Sequence, residues 1–262
     1  MSYLLGDNEI ASRRLKLLAE IFAPATEALL AGARSFRPPA RPELALDLGC
    51  GPGHTTRLLA KTLDPVATIG IDSSESFIAE AAGARPARGV SFLRHDILQA
   101  PFPTGLADLV FGRYILMHLG EPQQAVNRWL TQLKPGGLLL LEELERLEPE
   151  EPLFQQYVTL LERSLALQEK TMFIGPAIAA AKFPDAAFRL NRVQEIKVSV
   201  RDAARLFSMN MHTLKDSPQV RALYGEQEIG EFIGGLTRLA GEQDTSRAPV
   251  VWQLRQMVLQ RV

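Results

Sequence analysis

The chain has 262 residues, a formal net charge of −1 and 23% charged residues. That is enough to bury a large core without disulfides or metals, but the charge balance lacks the basic surplus of a nucleic-acid binder. A single cysteine, Cys50, excludes an internal disulfide and fits a reducing, cytoplasmic setting. No stretch is long and apolar enough to span a membrane, and the run Met1 to Asp7 lacks the basic and apolar regions of a secretory signal.

Residues 8–34 read as helix, with Asp7 or Asn8 as its cap and Ile10, Leu15, Leu18 and Phe22 at near-helical spacing. Pro24 is expected to break it in two. The basic pair Arg13-Arg14 reads as a solvated helix face. Arg37-Pro38-Pro39-Ala40-Arg41-Pro42 is a linker, since three prolines so close exclude helix and strand alike. Strand and helix then alternate: Leu44 to Leu48 as strand, 54–63 as helix, Val66 to Ile71 as strand, 75–84 as helix, Val90 to Leu93 as strand. Leu109 to Phe111 is a fourth strand, 121–133 a helix, and Gly137 to Leu141 a fifth strand. Such alternation implies crossover connections and a parallel sheet covered on both faces. After Glu143 the rhythm breaks. Residues 150–169 read as an amphipathic helix, 171–189 as irregular and apolar, and Arg192 to Val200 as a sixth strand. Helices are expected over 201–215 and 226–241, and a seventh strand over Val250 to Val258.

The densest motif is Leu46-Asp47-Leu48-Gly49-Cys50-Gly51-Pro52-Gly53-His54-Thr55, at the end of the first strand and the start of a helix. Glycines there let the backbone turn tightly and approach a ligand, and the helix start adds unpaired amide donors. Gly49, Gly51 and Gly53 follow a GxGxG pattern, with an acid two residues before the first. An acid suits a cationic amino-acid portion better than a dinucleotide pyrophosphate, which counts against a nicotinamide enzyme. Asp72, with Ser73 behind it, ends the second strand about 20 residues past the turn, where such folds bind ribose hydroxyls; the alternative is a helix cap, a task Ser73 or Ser74 can perform. Asp96 follows the third strand and suits an adenine amino group, with Ile97 on the ring; the alternative is loop capping. Arg113, at the tip of the fourth strand, suits the cofactor carboxylate, a substrate anion or a surface ion pair. Lys134-Pro135-Gly136-Gly137 is punctuation.

On these residues the chain resembles the class I S-adenosylmethionine-dependent methyltransferases, most closely their small-molecule branch. The likeness covers roughly residues 44–143, and the opening (Tyr3, Leu5, Glu9, Arg14-Leu15) and Gly112-Arg113-Tyr114-Ile115-Leu116-Met117-His118-Leu119 match it in style. The resemblance implies an α/β fold: a Rossmann-like, seven-stranded, mostly parallel sheet with helices on both faces, the last strand antiparallel beside the sixth. It also implies an N-terminal helical cap over 1–42, a cofactor-binding core over 43–143, a helical insertion or substrate lid over 144–190, and a C-terminal part over 191–262 completing the sheet. S-adenosyl-L-methionine would be held by Tyr3, Asp47, Gly49, Gly51, Gly53, Asp72, Ser73, Asp96, Ile97 and Arg113, and no metal is expected. The Asn/Asp-Pro-Pro-aromatic motif of nucleobase methyltransferases is replaced by Gly112-Arg113-Tyr114-Ile115, which again points away from nucleic acid.

The expected reaction is methyl transfer to an O, N or C atom of a small molecule, of the kind met in secondary metabolism, by a monomer or homodimer. Alignment and water exclusion do much of that work; a general base is needed only where the nucleophile keeps its proton. His118 is the candidate base and Tyr114 a candidate hydrogen-bond partner, each with packing as its alternative. His54 and His95 flank the motifs. His212 reads as core. Cys50 is expected to be inert. The run Thr171 to Pro176 reads either as a mobile lid or as a packed loop. Competing readings are a cofactor-assisted reaction without methyl transfer, such as a cyclisation, and a non-catalytic partner protein retaining the fold.

Overall fold

The computed structural model describes residues 6–36, 41–85, 87–242 and 247–262. Tyr3 and linker residues 37–40 lie outside them. The alternating stretch folds as expected: β1 (Leu44–Leu48), α2 (His54–Leu63), β2 (Ala67–Asp72), α3 (Glu75–Gly83), β3 (Val90–Arg94), β4 (Ala107–Arg113), α4 (Pro122–Leu130) and β5 (Leu133–Leu147). Then come α5 (Pro152–Ala166), α6 (Gly175–Ala180), β6 (Ala186–Val198), α7 (Val200–Leu214), α8 (Pro218–Arg221), α9 (Glu226–Gly241) and β7 (Val250–Arg261). The seven strands form one sheet in the order β3-β2-β1-β4-β5-β7-β6. The first five pair parallel among themselves, and β7 pairs antiparallel with both β5 and β6.

Period-two burial assigns each strand residue to a face. Leu46, Val110, Leu139 and Leu141 join Trp129 of α4 in one apolar cluster. Ala45, Leu109, Phe111, Leu138 and Leu140 join Leu59 and Leu63 of α2 in a second. Both faces of the sheet are therefore covered, which is what strands this apolar require.

The leading helix, α1 (Glu9–Ala33), contradicts the expected break: Pro24 lies within it. A proline inside a helix costs about 3 kcal/mol. Phe22, Leu29 and Leu30 are fully buried on either side of it, and side chains of that kind recover about 1.5–3 kcal/mol each. Asn8 caps the helix, its Oδ1 accepting from the Ala11 amide at 3.0 Å.

Elsewhere the irregular stretch 171–189 contains α6 and the start of β6, and short α8 was not anticipated. The expected helix over 121–133 stops at Leu130, and Leu133 already pairs with Ala107 of β4. Strand β5 runs on to Leu147, and β6 begins at Ala186, so residues 144 and 190 fall inside strands. His212 is exposed, whereas Phe207, Met211 and Leu214 take the inward positions of α7. No helix among the described residues is long and apolar enough to cross a membrane.

Candidate active site

A cavity of about 690 Å³ lies beyond the carboxyl ends of β1, β2 and β4 and extends under α1, α5 and α7. It sits at the switch point of the strand order, between β1 and β4, where open α/β sheets bind ligands.

The glycine turn forms one wall. Gly49 has φ of 63°, and a Cβ there would come within 2.3 Å of Ile115 Cδ1. Gly49 and Gly51 face the cavity; Asp47 and Gly53 stand behind it. Gly53 starts α2 with φ of 79°, where a Cβ would lie 2.5 Å from the Phe92 ring, so this glycine serves turn packing. Asp47 is buried and accepts from the Thr55 and Thr56 hydroxyls at 2.6 and 2.7 Å. Burial pushes its carboxyl up to about 6, against the pull of those two hydroxyls. Asp47 thus ties β1 to α2, and Thr55, which it holds, reaches the cavity. Cys50 also borders the cavity, but burial raises its thiol well above the ordinary value, the condition of an unreactive cysteine.

Asp72 ends β2 and lines the cavity. Its Oδ2 accepts from the Gly51 amide and its Oδ1 from the Ser74 amide, both at 2.9 Å. Burial raises its carboxyl, with those amides opposing. A carboxylate has about four acceptor positions, so acceptor capacity remains toward the cavity. Ser74, not Ser73, caps α3, accepting from the Phe77 amide at 3.2 Å. Ser73 is exposed along the cavity. Asp96 makes the loop cap, Oδ1 accepting from the Leu98 amide at 2.9 Å, and lines the cavity beside half-buried Ile97.

The opposite rim starts at the tip of β4. Arg113 lines the cavity and donates to Thr26 Oγ1 at 3.2 Å; that hydroxyl in turn donates to buried Glu142. Tyr114 takes a left-handed backbone, φ 54°, a strained conformation for a non-glycine residue and typical of functional rims. Its Oη is buried without a hydrogen-bond partner among the described residues, and burial raises its phenol well above the ordinary value, so it is a hydroxyl donor. Glu143 Oε1 accepts from the amides of Ile115 and Leu116 at 3.1 and 3.0 Å and so fixes the segment that carries His118. Burial pushes Glu143 up to about 8, against those two amides. His118 lines the cavity; burial, together with the Arg14 and Lys170 cations, holds its imidazole down to about 3. It is neutral at physiological pH and a weak proton acceptor. His54, half-buried at the cavity, has an Nε2 with no partner among the described residues.

The far side of the cavity was missed from sequence. Arg14, read as part of a solvated face, is 5% exposed, lines the cavity and donates to Asn210 Oδ1 at 3.1 Å; only Arg13 points to solvent. Helical phase relative to buried Ala11 and Leu17 was the available signal. Asn210 also donates to Tyr157 Oη at 2.5 Å. Phe207 stacks on Tyr157, with centroids 4.0 Å apart, and on Trp252 at 5.9 Å. Phe22 stacks on Trp252 at 5.1 Å and meets Tyr114 edge-on at 5.5 Å. Trp252 Nε1 is buried and has no partner among the described residues. The run from Thr171 to Pro176 packs here: Met172 and Ile174 are buried, and a Cβ on Gly175 would meet Leu144 O at 3.0 Å.

Residues 46–141 match the methyltransferase domain family model. A trans-aconitate 2-methyltransferase of Methylobacterium nodulans is 35% identical over 138 residues, 53% of this chain and 50% of that protein. The match thus spans about half the length of this curated relative. Among solved structures, the YcgJ protein of Bacillus subtilis superposes with a TM-score of 0.54 at 16% identity, covering 90% of this chain and 98% of that one. Coclaurine N-methyltransferase, bound to N-methylheliamine and S-adenosylhomocysteine, superposes with a TM-score of 0.53 at 15% identity, covering 90% and 73%. At such identities the two structures speak for the fold alone, and residues 46–141 of this chain are similar to the methyltransferase domain family.

Proposed function

We propose that this chain binds S-adenosylmethionine in the cavity and methylates a small molecule held beneath α1, α5 and α7. The observation that carries the reading is Asp72. Both of its carboxylate oxygens are fixed by amides, one from the glycine turn, and it keeps acceptor capacity toward the cavity. That suits a ribose diol. Asp96 and Ile97 would take the adenine, with Ser73 at the ribose edge. Gly49 and Gly51 would pass closely along the methionine portion, with Arg113 toward its carboxylate. Asp47 and Gly53 would contribute by holding the turn, and Tyr3 remains in this reading as a contact from the N-terminal segment. The bound cofactor supplies an electrophilic methyl on a sulfonium, which leaves as a neutral thioether.

The chain's own residues then position and desolvate. Tyr114 Oη and Trp252 Nε1 offer donors to an acceptor, and the aromatic wall excludes water. His118, held neutral, orients by hydrogen bonding rather than by strong proton abstraction. The division into cap, core, insertion and C-terminal part, and a cytoplasmic setting, belong to the same reading.

Calorimetric titration with S-adenosylmethionine, S-adenosylhomocysteine and NADH tests the cofactor. Saturable binding of the first two alone is expected, and binding of NADH alone or of none overturns the reading. Product mass tests the reaction: acceptor mass rises by one methyl, whereas an isomerised product of unchanged mass marks a cyclisation instead.

A further inference from the structure

The two ends of the cavity carry opposite charge. The acids that line it among the described residues are Asp7, Asp72 and Asp96. All three belong to the side of β2 and β3; Asp7 accepts from the Ser74 hydroxyl at 2.8 Å, beside Asp72. That end suits a cofactor whose methionine portion is cationic. The other end lies under β5 and β7, three and four strands away from β2, or roughly 14–19 Å at the usual strand spacing. Its described lining contains no carboxylate. It contains Lys170, which donates to Gln168 Oε1 at 3.3 Å and which no carboxylate among the described residues approaches within ion-pair distance. Lys170 and Arg14 both bear on His118, so the cations converge on the rim where the fourth strand ends. Two cavity-lining groups there without a hydrogen-bond partner among the described residues, Tyr114 Oη and Trp252 Nε1, can both donate, while the unpartnered Glu143 Oε2 lies behind the lining. Apart from Asn210, which is already bonded to Arg14 and Tyr157, the rest is apolar or aromatic, with Leu144, Leu147, Leu161, Met172, Leu206 and Phe207 among it.

Resting on the methyl-transfer reading, we propose that the acceptor is a monoanion, a single carboxylate on a predominantly apolar body, and that Lys170 selects it. A cationic amine would find the aromatic wall favourable, but it would enter beside the Lys170 ammonium, which costs more in a low-dielectric chamber than in water. A carboxylate there gains charge-assisted hydrogen bonds from Lys170 and the orphan donors. A polyanion would have to desolvate its remaining charges against Leu, Met and Phe side chains. The chemistry agrees with a weakly basic His118. A carboxylate oxygen attacks the methyl carbon through its lone pair, the C–S bond breaks with its electron pair passing to sulfur, and a methyl ester and a neutral thioether result. No proton moves, so no base is required.

The test uses S-adenosylhomocysteine-saturated protein and calorimetric binding of matched probes: cinnamate, 1-naphthylacetate and decanoate, each beside its primary amide and primary amine, with trans-aconitate as the polyanion. Product mass is then read with S-adenosylmethionine. The expected result is that at least one monocarboxylate binds tenfold or more tighter than its amide and amine and yields a methyl ester. Lys170→Met removes that preference, Lys170→Arg restores it, and the affinity for S-adenosylhomocysteine is unchanged in both. The proposal is overturned if amides or amines bind as tightly, if no monocarboxylate binds, if trans-aconitate is preferred, or if Lys170→Met keeps the preference. Wild-type protein that fails to bind S-adenosylhomocysteine at the outset brings down the methyl-transfer reading itself, and this proposal with it.

Discussion

The two halves of the cavity are built in different ways. The half made by β1, β2 and β3 draws its lining from short runs at strand ends, Gly49 to Thr55, Asp72 to Ser74 and Asp96 to Leu98. Its polar groups are tied by backbone amides within a few residues of the strands that carry them. The half under β5 and β7 takes Arg14 from α1, Tyr157 from α5, Phe207 and Asn210 from α7 and Trp252 from β7. A constant ligand can be held by local motifs. A variable acceptor is met by side chains whose neighbours are set only by tertiary packing, and such sites change by substitution without disturbing the sheet.

Removing the brace between the halves should have the largest effect. Glu143→Ala leaves the buried amides of Ile115 and Leu116 without their acceptor, at about 1–3 kcal/mol for each, and denaturant unfolding should show a loss of that order. Glu143→Gln keeps the acceptor and isolates the charge. The folded-state carboxyl titrates near 8 against an ordinary 4.5. The stability it contributes is fully present below about 4.5 and is lost as pH rises through 8. Wild type should therefore weaken relative to Glu143→Gln between pH 5 and 9; parallel stability curves over that range would refute the assignment.

Next in size is Asp72→Ala, which should weaken S-adenosylmethionine binding by about 100-fold, the loss expected of a charged hydrogen-bonding group. Equal affinities by calorimetry would remove the ribose assignment and with it the contrast between the halves. Trp252→Phe keeps the aromatic stack and deletes the orphan N–H. It should raise the acceptor KM about fivefold, in line with one modest hydrogen bond, with cofactor affinity unchanged; a change in cofactor affinity alone would place the indole in the wrong half. Smallest is His118→Asn. With its imidazole held near 3, His118 does not act as a strong base, so kcat should fall only a few-fold and stay level from pH 6 to 8. A steep dependence on a group titrating near neutrality, lost in the variant, would reinstate it as the base.

How far the sequence could be read follows the same division. The parallel core is legible because strand, glycine turn and helix follow one another within reach of local patterns, and the order of β1 to β5 is found as expected, with β4 and β5 longer than the expected Leu109 to Phe111 and Gly137 to Leu141. Arg14 was not legible, because a basic pair on an amphipathic helix resembles solvated surface until its phase is fixed by what packs there. Pro24 stays inside α1 because the burial of Phe22, Leu29 and Leu30, which local propensity does not contain, outweighs the cost of the proline. Lys170 and Trp252 carry no motif; their adjacency to the cavity exists only once β7 has been laid against β5. His212 was placed inward by its apolar neighbours, but helical period turns it out to solvent.

The insertion of β7 between β5 and β6 also fixes an order of assembly. As the chain leaves the ribosome, β1 to β5 can pair among themselves, whereas β6 has no partner strand until residues 250–261 arrive. Until then β5 presents an unpaired edge, a template for unwanted pairing, and the long sequence separation makes its closure slow. A nascent molecule can thus complete the glycine turn and the Asp72 site well before it has an acceptor chamber, so cofactor capture is available as an early step that steadies the half-built sheet.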